Sequence, residues 1–217
     1  MNTSDQKETP VTGQETGRVL DFYFDFISPF GFFASLRIDD LAARYGYQVR
    51  WHSMLIGVSV LKVMGMKPLL ETPLKGPYIV KDAIRYARQH HITPGRPFDA
   101  PVSDPRPAAK AFHWLNHYYP LESKPFAQKV FAAYWLEGKD IAQQAVLSEV
   151  LQAINLHHQV NLDDLGGEEA AARLRAEVSQ SLEKGVFGSP YFIVGDEPFF
   201  GLEKLELLEN WLATGGW

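Results

Sequence analysis

The stretch Phe22-Tyr23-Phe24-Asp25-Phe26-Ile27-Ser28-Pro29-Phe30 decides the fold, because an apolar strand runs there into a Ser-Pro pair and then into an amphipathic helix. Apolar residues alternate through the strand, and its two aspartates fall on the other parity, which predicts a mostly buried strand. Ser28 stands where a helix N-cap belongs, and Pro29 takes the first helical position, where a missing N–H costs nothing. A hydroxyl there lies in the positive field of a helix N-terminus, which favours a bound anion or thiolate. Two interpretations of Ser28 therefore stay open: it only caps the helix, or it also belongs to a site that binds an anion or a thiolate.

The composition limits what the chain can do. Its 217 residues, 46% of them hydrophobic, can bury a substantial core. The net charge of −5 with mixed signs gives no reason to expect nucleic acid binding, and no apolar run approaches the roughly 20 residues of a membrane span. Residues 1–17 are polar and lack the apolar segment of a secretory signal, so we expect a disordered tail and a cytoplasmic protein. The chain has no cysteine, so any thiol in its mechanism must come from a ligand.

The pattern along the chain predicts the order β-α-β, helical block, β-hairpin, α. Apolar residues recur at steps of three and four from Phe30 to Tyr45, which predicts one helix of about four turns. Residues 47–54 predict a second strand, joined to the first by a right-handed crossover. The predicted helices of the block cover residues 78–90, 108–117, 124–136, 144–154 and 168–184.

The end of the chain returns to strands. Residues 191–194 and 198–200 flank Gly195-Asp196, a two-residue hairpin turn. Pro198 cannot donate to a strand ladder, so we expect its strand to lie at a sheet edge or to begin at that residue. A last helix is predicted over residues 203–212.

This order predicts an α/β protein with a thioredoxin-like fold that is interrupted by an all-helical insertion domain. The expected thioredoxin-like domain consists of residues 18–77 and 185–217, and the insertion of residues 78–184. In this fold a cis-proline loop faces the N-terminus of the first helix, so we expect a cis bond before Pro190. The backbone N–H and C=O of Ser189 would then be free to pair with an extended peptide ligand.

Other parts of the sequence contain residues that could bind a metal or an anion. His113 and His117 stand four residues apart on a predicted helix, but without an intervening Glu or a third ligand we expect no metal site. The sequence has no G-x-S-x-G, P-loop or G-x-G-x-x-G motif. Gly201 precedes the last helix, where exposed backbone donors could hold a carboxylate or where glycine only permits a turn. Together, two helix N-termini and a proline loop favour a short, anionic, thiol-bearing peptide as ligand.

Several motifs in order resemble those of the 2-hydroxychromene-2-carboxylate isomerases and kappa-class glutathione transferases. They are Phe24–Phe30, Lys75–Tyr78 followed by Lys81–Arg85, Ala133–Asp140 and Gly185–Pro190. The likeness runs from about residue 19 to the C-terminus. It implies a DsbA-like thioredoxin fold, glutathione as cofactor and a homodimer.

The resemblance also implies roles for individual residues. Ser28 would be the catalytic residue, because its hydroxyl would donate a hydrogen bond to the glutathione sulfur and hold it as thiolate. The implied glutathione-binding residues are Ser28, Lys75, Tyr78, Ser189, Pro190, Gly201, Leu202 and Glu203. Lys62 and Arg85 could pair with a substrate carboxylate, or they could be solvated surface charges.

The implied reaction is a glutathione-dependent isomerisation between a 2-hydroxychromene-2-carboxylate and a trans-o-hydroxybenzylidenepyruvate, in aromatic compound catabolism. Two alternatives stay open: a kappa-like glutathione transferase or peroxidase, and a non-catalytic glutathione-binding module. Family members commonly have Gly-Asn where this chain has Gly65-Met66, and Asp-Arg where it has Glu203-Lys204. Because Lys lacks the planar fork of Arg, we expect the backbone amides of Leu202 and Glu203 to hold the γ-glutamyl end of the ligand.

Overall fold

The computed structural model describes residues 17–217, so the predicted disordered tail lies outside the described residues except for Gly17. The sheet in this part of the chain has four strands in the order β2-β1-β3-β4. The strands are β1 (Arg18–Phe24), β2 (Tyr47–Ser53), β3 (Tyr191–Val194) and β4 (Glu197–Phe200). β1 runs parallel to β2 and antiparallel to β3, with Phe22 opposite both Trp51 and Phe192. Pro198 lies in the edge strand β4, as predicted.

Helices fill most of the chain between β2 and β3. The α-helices are α1 (Pro29–Ser35), α2 (Ile38–Ala43), α3 (Lys75–Gln89), α4 (Arg106–Tyr118), α5 (Pro120–Phe131), α6 (Gln144–Ala153), α7 (Leu162–Gly166), α8 (Glu168–Glu183) and α9 (Leu205–Thr214). Two π-helices cover Gly57–Val63 and Ala132–Leu136, and two 3₁₀-helices cover Leu69–Glu71 and Leu202–Lys204. Within residues 17–217, none of these helices is long and apolar enough to cross a bilayer.

The first predicted helix is in fact two helices, so the expectation of four continuous turns is wrong. α1 ends at Ser35 and α2 begins at Ile38. The Ser35 hydroxyl donates to the backbone carbonyl of Phe32 at 2.6 Å, and such local bonds compete with the helical ladder and bend helices. The apolar periodicity continues across the break, because buried residues of both helices face the sheet. The pattern alone therefore could not reveal the interruption.

The helical block also differs from its prediction at the boundaries. α3 begins at Lys75 rather than at residue 78, and α5 begins at Pro120 rather than at residue 124. The π-helix Gly57–Val63 lies in a stretch rich in Gly, Pro and Lys that sequence patterns leave unassigned. The division into two domains at residues 77 and 185 stays a prediction.

An aromatic core joins the helices to one face of the sheet. Phe24 at the end of β1 contacts Phe112 of α4 and Phe131 of α5, with ring centroids 5.5 Å and 5.3 Å apart. Just after β1, the indole N–H of Trp135 donates to the backbone carbonyl of Phe26 at 3.0 Å. Buried aromatic side chains dominate core energetics. This packing holds the segment that leads from β1 to Ser28.

A polar cluster lies on the opposite face of the sheet. His52 of β2 contacts Asp21 of β1 and Glu177 of α8 through its two ring nitrogens, at 3.1 Å and 2.8 Å. Its ring stacks on Tyr23, with centroids 4.5 Å apart. Arg50 also donates two hydrogen bonds to the Asp21 carboxylate. The cluster therefore ties α8 to the edge strand β2 and to its neighbour β1.

Candidate functional site

Ser28 caps α1, as its place in the sequence predicts. Its backbone is extended (φ −89°, ψ 116°), and its Oγ accepts the N–H of Gly31 at 3.0 Å. Pro29 fills the first helical position, where no N–H is needed. The Ser28 side chain is buried, which strengthens its hydrogen bonds because the local dielectric is low.

The same hydroxyl faces the proline loop. The Ser28 hydroxyl donates to the backbone carbonyl of Ser189 at 2.9 Å, and the Ser189–Pro190 peptide bond is cis. The N–H of Gly201 donates to the carbonyl of Pro190 at 3.1 Å. Ser28, Ser189, Pro190 and Gly201 therefore form one cluster, the Ser28 cluster. The expectation that the Ser189 carbonyl is free is wrong here, because Ser28 occupies it.

Gly31 is a site residue that the motif analysis missed. A Cβ at Gly31 would lie 2.5 Å from the Oγ of Ser189 and 3.3 Å from the Cβ of Ser28, so only glycine fits without a shift. In thioredoxin-like redox motifs, C-x-x-C, two cysteines stand three positions apart. Here Ser28 and Gly31 have that spacing at the N-terminus of α1, and this spacing is the signal that could have identified Gly31.

Gly201 opens the second expected anion-binding end. Its φ of +106° lies where side chains are disfavoured, and the 3₁₀-helix Leu202–Lys204 follows directly. The carboxylate of Glu203 folds back over Gly201, because both of its oxygens lie within 2.6 Å of the position of a Cβ there. The protein's own carboxylate therefore lies where a ligand carboxylate was expected, so an anionic ligand requires Glu203 to turn away.

Asp25 is a second residue that the motif analysis missed. Its side chain is fully buried, and it accepts the N–H of Ile27 at 3.2 Å and that of Ile56 at 2.8 Å. Burial raises the pKa of Asp25, the two backbone bonds lower it, and the net pKa is about 7. An aspartate within an apolar stretch, three residues before Ser28, was the signal that the sequence offered, since carboxylates are almost never fully buried without partners.

Four predicted site residues belong to the segment after β2 and to α3, outside the Ser28 cluster as defined above. Lys62 is in the π-helix that follows Ile56, and Lys75, Tyr78 and Arg85 are on α3. All four side chains are exposed, and within residues 17–217 none of them hydrogen-bonds to the Ser28 cluster. Arg85 pairs with Asp82 at 2.5 Å. The binding roles of these four residues stay predictions.

The two histidines considered for a metal have different surroundings. His113 is buried in α4, and its Nε2 lies 2.7 Å from the backbone oxygen of Ser53. Burial lowers the pKa of His113, which favours the neutral ring. His117, one turn later, is exposed. His113 therefore joins α4 to the end of β2.

The chain was compared with models of known protein families. The family model of the DSBA-like thioredoxin domain matches residues 19–213. The chain belongs to this family. The predicted fold, a thioredoxin-like α/β fold of DsbA type, is thereby confirmed, and the Ser28 cluster lies where this fold brings its first helix and its cis-proline loop together.

Individual relatives confirm the resemblance that the motifs predicted. The chain is 26% identical over 202 residues to 2-hydroxychromene-2-carboxylate isomerase of Pseudomonas sp. (strain C18), which covers 91% of each protein. It is 23% identical to glutathione S-transferase kappa 1 of Caenorhabditis elegans, over 89% of this chain and 90% of that protein. A solved structure of 2-hydroxychromene-2-carboxylate isomerase superposes with a TM-score of 0.71 at 26% identity, covering 91% of this chain and 94% of the other.

Proposed function

We propose that this protein is a glutathione-dependent isomerase that acts on aromatic keto acids of the 2-hydroxychromene-2-carboxylate type. One observation carries the proposal: a chain without cysteine holds a buried hydroxyl, Ser28, between a helix N-terminus and a cis-proline loop. Relatives that are isomerases by name match it over most of its length. A thiol nucleophile supplied by a cofactor fits a protein that has none of its own.

The residues of the Ser28 cluster fit a short thiol-bearing peptide. Ser28 offers a hydroxyl donor for a sulfur, and Ser189 offers backbone groups beside Pro190 for pairing with an extended chain. Leu202 and Glu203 offer backbone N–H groups after Gly201 for the γ-glutamyl carboxylate. Lys75 and Tyr78, at the exposed start of α3, are proposed as further glutathione contacts.

Binding exchanges one hydrogen bond for two. Ser28 now gives its hydroxyl proton to the Ser189 carbonyl and accepts the N–H of Gly31. When the Ser28 hydroxyl turns toward a sulfur, the bond from Gly31 can persist, because it uses the oxygen and not the proton. The Ser189 carbonyl is then free to accept a backbone N–H of the ligand. The same rotation thus prepares both the thiol site and the peptide site.

Glutathione, when bound, would supply a thiol nucleophile for reversible addition to a conjugated carbonyl compound. Ser28 holds that sulfur as thiolate by a charge-assisted hydrogen bond, and the N-terminus of α1 adds a favourable field. A hundredfold larger thiolate fraction corresponds to about 2.7 kcal/mol, which these two effects can supply together. Lys62 and Arg85 are proposed to pair with the substrate carboxylate, which for Arg85 means leaving Asp82.

A homodimer belongs to the same proposal. Large apolar side chains are exposed along the segment between β2 and α3, and Leu74 is 89% exposed. Contiguous exposed apolar surface marks interaction sites in proteins. A second copy of the chain could bury this surface, and light scattering would measure the mass of the assembly.

The test is turnover of hydroxychromene carboxylates with and without glutathione. We expect isomerisation only with glutathione, and no net consumption of glutathione. Ser28→Ala should lower kcat by about 10²- to 10³-fold, as removal of one donor to a developing anion does elsewhere. Ser179→Ala, an exposed serine on α8, should leave the rate unchanged. Full activity of the Ser28→Ala enzyme would remove the proposed role of the hydroxyl.

A kappa-like glutathione transferase is the second candidate, favoured by the match to the Caenorhabditis elegans protein. The two activities differ in their mass balance, because a transferase consumes glutathione stoichiometrically and an isomerase returns it. Both need glutathione binding. If isothermal titration at millimolar glutathione gave no heat and S-alkyl derivatives did not bind either, both enzyme candidates would fail.

A further inference from the structure

Asp25 forms hydrogen bonds to the segment that carries Ser28, to Ser189 and to the segment that begins at Ile56. Its carboxylate accepts the N–H of Ile27, directly before Ser28, and the N–H of Ile56, directly before the π-helix Gly57–Val63. Its backbone N–H donates to the Oγ of Ser189 at 3.0 Å, and its backbone carbonyl accepts the N–H of Ser28 at 3.0 Å. Hydrogen bonds of Asp25 therefore hold the turn from Asp25 to Ser28, which joins β1 to α1.

Stability alone does not account for a carboxylate at this position. Asp25 is 0% exposed, and its two bonds come from neutral backbone N–H groups rather than from a cation. Transfer of an unpaired carboxylate into the interior is unfavourable. The charge of Asp104 disfavours the ionised form of Asp25 and so adds to the effect of burial on its pKa. An acceptor with two oxygens is, however, what two converging N–H donors require.

We propose that Asp25 is the positioning residue of this site, whose carboxylate clamps the segment carrying Ser28 to the segment that begins at Ile56. The inference rests on the proposed function and deepens it. The clamp fixes the position of the Ser28 oxygen between the N–H of Gly31 and the carbonyl of Ser189, and from this position the hydroxyl turns toward the sulfur. It also fixes the π-helix that carries Lys62 relative to Ser28. Asp25 itself need not touch the cofactor or the substrate.

The first test needs no ligand. Asp25→Asn keeps one acceptor oxygen and turns the other into a donor, so one of the two N–H groups must lose its partner. We expect the amide of Ile27 or Ile56 to exchange with solvent at least about tenfold faster, and the amide resonances of Ser28 and Gly31 to move. Unchanged exchange and unchanged resonances would overturn the proposal, whether or not glutathione binds.

The matched control is Asp21→Asn, the same substitution four residues earlier on β1. Asp21 belongs to the polar cluster with His52 on the other face of the sheet. We expect Asp21→Asn to lower the thermal midpoint and to leave kcat and the amides of Ile27 and Ile56 unchanged. At pH 8 we expect the opposite pattern from Asp25→Asn. The thermal midpoint should not fall, because the substitution removes a buried charge, whereas kcat should fall.

The second test uses glutathione and turnover. We expect Asp25→Asn to lower kcat by about 10- to 100-fold, as misplaced catalytic groups do, with KM for glutathione within about twofold of that of the unaltered protein. The ultraviolet absorbance of the bound thiolate, titrated against pH, should show the thiol pKa moving up toward that of free glutathione. Unaltered kcat and thiol pKa would refute the positioning role, while the Ser28→Ala result separately decides the proposed function.

Ile56→Pro provides a second route if Asp25→Asn does not fold. The φ of Ile56 is −58°, which suits proline, and the change removes one N–H donor while leaving the carboxylate in place. It should reproduce the loss in kcat and the faster exchange at Ile27. A folded Ile56→Pro protein with unaltered kcat and exchange would also refute the clamp.

Discussion

His52→Gln tests the polar cluster that ties α8 to the sheet. In the cluster, His52 lies between the carboxylates of Asp21 and Glu177, with 19% of its side chain exposed. Burial lowers the pKa of His52, but the hydrogen bonds to the two carboxylates outweigh this effect and raise it. The substitution removes a cation and leaves two carboxylates near each other.

The magnitude follows from burial and from the cations that remain. Loss of one partner from a fully buried ion pair costs about 3 to 5 kcal/mol. This cluster is partly exposed, and Arg50 and Lys184 still face Asp21, so we expect a loss of about 2 kcal/mol. For a chain of this size the thermal midpoint should fall by roughly 4 to 8 °C.

The pKa shifts of His52 and Asp21 determine how their contributions to stability change with pH. The pKa of His52 is raised in the folded state, so its contribution is fully present below the unfolded value of 6.5 and is lost as pH rises through the folded value. For Asp21, burial raises the pKa, but hydrogen bonds from His52 and Arg50 prevail and lower it to about 2. That contribution is present above the unfolded value of 3.8 and is lost as pH falls toward 2.

The assay is urea denaturation of the unaltered protein and of His52→Gln between pH 3 and pH 9. The difference in unfolding free energy should be largest between about pH 5 and 6.5 and should shrink on both sides. Asp25 is present in both proteins, so its own titration cancels from the difference. His158→Gln, an exposed histidine, should give no difference. A loss below about 0.5 kcal/mol, or a difference independent of pH, would refute the reasoning.

The two glycines of the site give further predictions. Gly31→Ala should lower the unfolding free energy by about 1 to 3 kcal/mol by overpacking, since the new Cβ would lie 2.5 Å from the Oγ of Ser189. Denaturant unfolding measures this loss, and adding Ser189→Ala to the same chain should recover part of it. Purely additive effects of the two substitutions would contradict the contact. Gly201→Ala should cost about 1 to 3 kcal/mol and weaken glutathione binding in calorimetry, because φ is +106° there and the Cβ would meet the Glu203 carboxylate. Gly57→Ala, with open space around its Cβ, is the control for both, and equal losses in all three variants would contradict the steric argument.

The sequence by itself determined the fold class and the helix cap, and it excluded a thiol of the protein's own. Ser-Pro after an apolar strand has a local meaning, because a capping hydroxyl and a proline at the first helical position depend only on neighbours in the chain. Gly195-Asp196 predicted its hairpin for the same reason, and the turn glycine has φ +62°. The lack of cysteine is evident from the sequence alone, and it means that any thiol in the mechanism must come from a ligand.

Tertiary structure alone decided which groups meet. Ser28 and Ser189 are 161 positions apart in the chain, and Asp25 and Ile56 are 31 apart. The periodicity of a sequence cannot predict such pairs, because each hydrogen bond depends on how distant turns pack together and not on neighbouring residues in the chain. The engaged carbonyl of Ser189 belongs to the same class. Local patterns specify elements and their caps, whereas the site is made by the long-range hydrogen bonds that join them.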